Sequence, residues 1–530
     1  MQSCRTKINY QSVPPEFFLK LLAISLNMEN IFTEECGLIC PMSELEKKMR
    51  KITMIVATLG TLFFSAVSHA KVCKLTILHF NDMHGYLEPE DDDLGGAARI
   101  ATLVDKIRAE NIEEGRGTLL LNGGDIISGT MISAHFKGEA EFEFLNRLDA
   151  DAMVLGNHEF DFGQEPLINN AAAAEFPVLS ANVVLKKTGK PVVLENSIFE
   201  FDDGCFAGVF GITSEDTKNL ALPSNLEGLV FLDELSTAKK QMTKIAPKSD
   251  IQIALTHVGV ASDHRLAREV KGLEAVIGGH DHVGAEEYCA ASSSIPICQT
   301  PAKGKYLGRV DIDVEDGKVI SYDTKLYVID KSIAKSRRMK KALHRYFAEV
   351  KKYGNEKVGK IDKPLVRSVE SAPGSEDLAL LAARAIREVA GSTIGLMNTG
   401  GVRRDIPAGK VRKKDLFEAL PFGNTVVVVS SVTGAEIAGL VAGSDEINRK
   451  QQKSFVWDNL EYSKDGTSLD IRIGGAPLNM KARYDVATNS FLAQGGDGAL
   501  IFKDKPQRDL GVTVLDVVID DISARTFSSQ

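Results

Sequence analysis

The sequence predicts an α/β protein of two domains, and three observations carry that prediction. From residue 74 to about 335, short apolar runs alternate with helical patterns. Five of those runs end at a block of Asp, Asn or His set close to glycine. A basic stretch free of Gly and Pro, 332–352, then leads to a second compositional unit without such blocks. Continuous apolar runs fit strands buried on both faces, and sites in such sheets lie just past the carboxyl ends of the strands.

The elements follow in order. Residues 52–67 (ITMIVATLGTLFFSAV) are apolar, preceded by Met49-Arg50-Lys51 and followed by Ser68-His69-Ala70. A basic start, a short apolar core and small residues at the cleavage point make 49–70 a secretory signal peptide. The run is shorter than the ~20 apolar residues that a membrane-spanning helix needs. Met49 is then the expected start of translation, residues 1–48 an upstream extension assigned in error, and Lys71 the first mature residue.

Strands are expected at Lys74–Phe80, Thr118–Asn122, Ala152–Leu155, Ile251–Leu255 and Ala275–Ile277. The blocks that follow them are Asp82-Met83-His84-Gly85, Gly123-Gly124-Asp125, Gly156-Asn157-His158-Glu159, Thr256-His257-Val258-Gly259 and Gly279-His280-Asp281-His282. Helical patterns such as Ala97–Arg108 and Glu139–Leu148 lie between. The basic stretch reads as a linker helix, so domain bounds of 71–331, 332–357 and 358–530 are expected. The second unit shows helices at Asp377–Val389, Lys414–Leu420 and Thr433–Val441, and strands at Thr425–Val429 and Tyr484–Thr488. It also carries Asn-Thr-Gly-Gly at 398–401 and Gly-Gly-Asp-Gly at 495–498.

Composition narrows the function. Beyond residue 70 the chain holds 56 basic and 66 acidic residues, a net charge of −10. An acidic chain is a poor partner for a nucleic-acid polymer. A small phosphate ester stays open if metal ions supply the local positive charge. No stretch after the signal peptide is suited to span a membrane. Four cysteines remain, an even number that in an exported chain suggests two disulfides. Cys289 and Cys298 bracket a short loop and are the easiest pair; Cys73–Cys205 follows by elimination.

The blocks permit specific chemistry. Asp82 and Asp125 are hard carboxylate donors, His84, His257, His280 and His282 borderline donors, and Asn157 offers an amide oxygen. Such a mixed set suits Zn, Mn, Fe or Co over Mg or Ca. Two such ions, about 3.5–4 Å apart, activate water and clamp phosphate oxygens. Asp125, the middle ligand in sequence, is the natural bridge. His158 directly follows Asn157, so it is expected to face substrate, stabilising phosphoryl charge or protonating a leaving alkoxide. Asp161 can orient and charge that imidazole. His79 reads as buried strand, and His135, His264 and His344 as surface. In the second unit, Phe422 and Phe491 each precede a Gly-containing turn and fit either a base sandwich or core. Arg367, Arg403 and Arg404 offer planar forks to phosphate, or are surface ion-pair partners. Asp497, flanked by glycines, suits ribose hydroxyls.

On these motifs, residues 74–530 resemble the 5′-nucleotidase family of two-domain, calcineurin-like metallophosphoesterases, which includes periplasmic UDP-sugar hydrolases/5′-nucleotidases. The stretches NTGGVR, LPFGN and FLAQGGDG together distinguish it from other metallophosphoesterases. The resemblance implies a four-layer N-terminal metallophosphoesterase domain and a C-terminal α/β substrate-binding domain. It implies two divalent ions, one held by Asp82, His84 and His282, the other by Asn157, His257 and His280, with Asp125 bridging. It makes His158–Asp161 the catalytic dyad and Phe422 with Phe491 the base-stacking pair. Asn424 matches a base-contacting position, Asn398, Arg367 and Arg403 substrate-binding positions, and Asp497 the ribose-binding Asp. The linker helix matches a hinge about which the substrate domain rotates.

Two departures stand out. Ala372-Pro373-Gly374-Ser375-Glu376-Asp377 replaces the family's Asn-x-Gly-Asn stretch after Arg367. Lys363 stands where some bacterial members carry Arg, so a point charge replaces a fork.

A periplasmic or secreted phosphohydrolase acting on a small nucleotide, as monomer or dimer, is therefore expected. UDP-sugar hydrolysis or 2′,3′-cyclic nucleotide hydrolysis on the same site is the runner-up. A sulfur-substrate hydrolase ranks lower, because the phenylalanine pair has no evident use there. Intact ligands and dyad argue against a non-catalytic nucleotide-binding or surface protein.

Overall fold

Strands that are apolar on both faces need a covering layer on either side. The structure, a computed structural model, describes residues 71–530 except 91, 291–293, 368–373, 452–454, 466–467 and 529–530. The expected extension and signal peptide, and Ala372-Pro373, lie outside the described residues.

The first half builds two facing sheets. One runs in spatial order Lys318–Val328, Tyr306–Glu315, Val72–Phe80, Gly117–Asn122, Ala152–Val154, Val178–Leu179. The other runs Ile297–Cys298, Ala275–Ile277, Ile251–His257, Phe206–Thr213, Asn196–Glu200. Alternate residues of each strand point to opposite faces. Hence Ile77, Leu119, Leu121 and Val154 meet Val209, Ile253, Leu255 and Ile277 in one core between the sheets. Leu78, Leu120 and Met153 turn outward into a core shared with the helices Ala97–Glu113 and Glu139–Arg147. Phe210, Ile212 and Ala254 turn the other way, onto the helix Glu234–Ile245. The layers are helix, sheet, sheet, helix, as the resemblance implied.

Val72–Phe80, Gly117–Asn122 and Ala152–Val154 pair in parallel, as do Phe206–Thr213, Ile251–His257 and Ala275–Ile277. Their carboxyl ends therefore share one edge in each sheet. The first sheet is nonetheless mixed. Tyr306–Glu315 runs antiparallel to Val72–Phe80 and forms a hairpin with Lys318–Val328. Asp316 and Gly317, at φ 49° and 69°, make the turn, and an Asp-Gly pair is suited to two positive φ values. A disulfide from Cys73 to Cys205 ties the first sheet to the second, and Cys289 is bonded to Cys298.

The helix expected as a linker spans Arg337–Gly354 and so begins later than residue 332. Ser332 turns back onto Asp330, and the Ser336 side chain accepts from the Met339 N–H as the N-cap. Met339, Leu343 and Tyr346 sink into the core that holds Val104 and Ile107. His135 is half-buried against Phe136 and Tyr353, not a free surface residue, because the linker helix passes over it. Among the described residues no helix is long and apolar enough to cross a membrane.

The second half forms a five-stranded sheet ordered Phe455–Asp458, Ile394–Asn398, Arg483–Asn489, Thr425–Thr433, Gln507–Thr513. The helix Leu378–Ala390 covers it, capped by Asp377, whose side chain accepts from the N–H groups of Ala379 and Leu380. Ile394–Asn398 and Arg483–Asn489 are parallel, so Asn398 and Asn489 emerge together.

One buried acid sets a pH dependence. Glu274 is buried and accepts from the Gln252 N–H at 2.7 Å; burial pushes its carboxyl up to about 8 against that bond. Between its unfolded value, about 4.3, and the raised one, the folded chain holds a proton that the unfolded chain has lost. Stability therefore falls as pH rises through this window, by up to about 1.4 kcal/mol per unit. E274Q is expected to melt above wild type at pH 8 and to match it near pH 5 in thermal unfolding. A constant offset across that range would contradict the assignment.

Candidate active site

The blocks converge beyond the carboxyl ends of the parallel strands of both sheets. Asp82, His84, Asp125, His280 and His282 all adopt positive φ, at 51°, 49°, 50°, 97° and 50°. Each such non-glycine residue costs about 1–3 kcal/mol and persists only when its surroundings over-determine it. Here they do. The Asp82 N–H donates to the Gly124 carbonyl at 2.9 Å, His84 N–H to Asp125 O at 3.0 Å, and His280 N–H to Asp82 Oδ2 at 2.9 Å. The glycine ahead of Asn157 follows from the same crowding: a Cβ on Gly156 would lie 2.1 Å from Asp125 Oδ1.

The donor atoms form overlapping groups. Asp82, His84 and His282 make one, Asp125, His257 and His280 another, and His84, Asp125 and His158 a third, each with its donor atoms within 4.8 Å of one another. His84 Nε2 and His282 Nε2 stand 2.8 Å apart, and His282 Nε2 is 3.2 Å from Asp82 Oδ1. His280 Nδ1 lies 3.0 Å from Asn157 Oδ1. His257 Nδ1 is 2.7 Å from the Gly123 carbonyl, which can only accept, so this nitrogen carries a proton. Its Nε2 then faces Asp125 Oδ2 at 3.1 Å.

Two orphaned atoms test whether cations fit. Asp82 Oδ1 and His257 Nε2 are buried without a well-aligned hydrogen bond among the described residues, and each faces only other donors of the cluster, the nearest being His282 Nε2 at 3.2 Å and Asp125 Oδ2 at 3.1 Å. Unsatisfied polar atoms of this kind are costly in a protein interior unless something binds them. Burial alone would raise the Asp125 carboxyl, yet the imidazoles of His257, His158 and His84 hold it well below the usual carboxylate range. Burial alone would lower His257, yet Asp125 lifts it to about 10. Without a cation, protons on these imidazoles balance the buried carboxylates; a bound cation would displace them, and the mixed imidazole, amide and carboxylate donors suit divalent transition metals.

His158 stands beside this cluster. Its Nδ1 is 2.7 Å from Asp161 Oδ2, and its Nε2 is 4.0 Å from Asp125 Oδ2. Burial acts to lower the imidazole, but Asp125 and Asp161 outweigh it and bring it to about 10.

Several contributors escaped the sequence reading. The Ser128 hydroxyl donates to Asp161 Oδ2 at 2.6 Å, so one carboxylate oxygen takes two donors. Nothing in the local sequence marks this serine. Glu159 lies inside a block, yet its role shows only in space: it accepts from the N–H groups of Asp125, Ile126 and Gly156. Asn81 donates to Asp82 Oδ2 at 2.6 Å and accepts from Thr300, pinning the first block to a distant loop.

The second half carries its own cluster. Phe422 and Phe491 are 43% and 44% exposed, which removes the core alternative. Their loops are tied together, since Ser490 Oγ donates to Asn424 Oδ1 at 3.3 Å and accepts from the Thr425 N–H at 3.2 Å. Asn398 donates to Asp497 Oδ2 at 2.7 Å and accepts from Asn489 at 3.0 Å. The Arg403 guanidinium lies 5.3 Å from the Phe422 ring centroid. Arg367 stands further out, its N–H on Asp405 and its side chain exposed. Arg404 is engaged by Glu418 and does not join the group.

Comparisons with known proteins show the family. The family model for calcineurin-like phosphoesterases matches residues 75–284, and that for the 5′-nucleotidase C-terminal domain matches 357–504. The chain is 31% identical over 499 residues to a 5′-nucleotidase of Vibrio cholerae, covering 82% of this chain and 87% of that one. It is 30% identical over 506 residues to the trifunctional nucleotide phosphoesterase YfkN of Bacillus subtilis, covering 84% of this chain and 34% of that longer protein. It thus spans about a third of YfkN's length. The crystal structure of a 5′-nucleotidase precursor from Thermus thermophilus superposes with a TM-score of 0.63 at 27% identity, over 86% of this chain and 97% of that one. The chain belongs to the 5′-nucleotidase family of metal-dependent phosphoester hydrolases.

Proposed function

We propose that this protein is an exported hydrolase that removes phosphate from nucleoside 5′-phosphates. The bond chemistry is assigned to residues 71–331 and nucleotide binding to 358–530, joined by 332–357. The observation that carries the reading is the exposed phenylalanine pair, tied by Ser490 and Asn424 beside Asn398–Asp497, in the same chain as the Asp125 cluster. A generic phosphodiesterase has no use for two exposed rings on linked loops.

Two divalent ions, from among Zn, Mn, Co and Fe, would be held by Asp82, His84 and His282 and by Asn157, His257 and His280, with Asp125 shared. When bound, they supply Lewis acidity to the phosphoryl oxygens and a hydrolytic nucleophile near neutral pH. His158 keeps its Nδ1 proton on Asp161, which leaves Nε2 directed to substrate. From there it hands a proton to the departing ribose 5′-oxygen. Phe422 and Phe491 take the base between them, Asn424 contacts its edge, and Asp497, steadied by Asn398, accepts from the ribose hydroxyls. Arg367 and Arg403 meet the phosphates.

Phosphate release from AMP, ADP, ATP, UDP-glucose and 2′,3′-cAMP, after EDTA treatment and metal add-back, tests this reading. A monophosphate preference restored by metal supports it; preference for UDP-glucose or the cyclic nucleotide would favour the runner-up. F422A/F491A is expected to raise KM for AMP about 10–100-fold, from the ~1–3 kcal/mol that each stacked base gains on an aromatic ring. Turnover of bis(p-nitrophenyl) phosphate should be spared, because uniform binding is lost first in KM. Equal loss on both substrates would make the rings structural.

Export to the periplasm or medium rests on the 49–70 signal and agrees with two disulfides. Protein isolated from its native envelope is expected to begin at Lys71 by mass spectrometry. A retained segment before it would overturn the cleavage.

A further inference from the structure

The loop that follows Asp125 runs between the first ligand block and the His158–Asp161 pair. Ser128 sits in it at φ 75°. That is left-handed backbone, which a non-glycine residue adopts at a cost and keeps only when its surroundings over-determine it. Here they do. The Ser128 N–H donates to Oγ of the buried Ser133 at 2.7 Å. Thr130 Oγ1 donates to the Gly85 carbonyl at 3.1 Å and caps the short helix Met131–Phe136 by accepting from the Ser133 N–H. Gly129, at φ 90°, passes so close to the first block that a Cβ on it would lie 3.0 Å from the His84 carbonyl oxygen.

This fixed loop presents one hydroxyl to the dyad. Ser128 Oγ donates to Asp161 Oδ2 at 2.6 Å, and the same oxygen lies 2.7 Å from His158 Nδ1. The backbone of Asp161 is held from elsewhere, because Asn225 Nδ2 donates to the carbonyls of Phe160 and Asp161, each at 2.9 Å. Rotation of the carboxylate is the freedom that remains. It matters because the Asp161 side chain is 28% exposed, so water competes for its oxygens. The Ser128 hydroxyl takes Oδ2 in place of water and keeps it on the imidazole. Outer partners of this kind orient the group that does the chemistry.

We propose that Ser128 is a positioning residue for the hydrolysis. Its strained backbone aims the hydroxyl at Asp161 Oδ2, which fixes the rotamer of Asp161 and, through it, the direction of His158 Nε2. The hydroxyl proton stays on Ser128 throughout. The inference rests on the proposed role of His158 as proton donor to the leaving oxygen.

S128A and S128G test this together. Both remove the hydroxyl, but glycine adopts a φ of this sign without strain and alanine does not. Each is expected to lower kcat for AMP about tenfold, the low end of what such an outer partner contributes, with KM little changed. p-Nitrophenyl phosphate, whose leaving group needs no proton, should lose far less. In a His158→Asn background S128G should lower kcat for AMP no further, because the hydroxyl acts only through the imidazole. Wild-type kcat in S128G beside a loss in S128A would assign the effect to backbone strain and overturn the proposal, as would additive losses in the double variant. A readout without turnover separates this proposal from the nucleotidase reading. In proton NMR of the metal-free protein, His158 Nδ1–H should give a downfield, hydrogen-bonded resonance that exchange broadens in S128G. An unchanged resonance would refute the positioning role. A wild type that leaves AMP intact would sink the nucleotidase reading alone, and the resonance would still decide the role of Ser128.

Discussion

Asp125→Asn is expected to abolish phosphate release and to weaken the binding of both metal ions. The substitution is isosteric, and its Oδ1 can still accept the His158 N–H that Asp125 accepts at 2.8 Å, so the fold should survive. What is lost is the negative charge shared by His257 on one side and the His84 group on the other. Metal ions of this kind contribute several kcal/mol of transition-state stabilisation, which at 1.36 kcal/mol per decade is about a thousandfold or more in kcat/KM. Elemental analysis alongside kinetics checks both halves of the statement. A variant with two metals per chain and near-native turnover would rule out the shared position. In the metal-free chain the same change should lower the His257 and His158 imidazoles, since Asp125 is the largest influence raising each.

His158→Asn should lower kcat for AMP by about 10²–10⁴-fold, the usual range for a general acid, with KM and metal content little changed. The leaving group separates this role from a structural one. p-Nitrophenolate departs without a proton, so p-nitrophenyl phosphate should lose far less than AMP. A uniform loss on both esters would mean that His158 stabilises charge on the phosphoryl group rather than protonating the leaving oxygen. Ser128 and Asp161 enter through this residue, because Asp161 Oδ2 takes both the Ser128 hydroxyl and His158 Nδ1.

The resemblance and the comparisons rest on features that are local in sequence. Each ligand block abuts its own apolar strand, so a short window holds both the strand signal and the donors; Ile251–His257 carries His257 as its last residue. The helix Arg337–Gly354 is visible for the same reason, as one uninterrupted basic stretch. Its start is not, because the Asp330–Ser332 turn and the Ser336 cap compete with a helical pattern that extends through them.

The chain by itself therefore determined the fold class, the strand-end placement of the donors and the identity of the candidate residues. The tertiary structure decided which of them meet. Asp82 and His282 are brought together by two different sheets, and Asn81 reaches Thr300 across 219 positions of chain. It exposed Phe422 and Phe491, which sequence left open between core and base sandwich. It also revealed Ser128, which has no local mark. The physical reason is the same throughout. Strand and helix signals arise from periodicity along a few consecutive residues, whereas a hydrogen bond or a cavity depends on where separate elements pack, and packing is non-local.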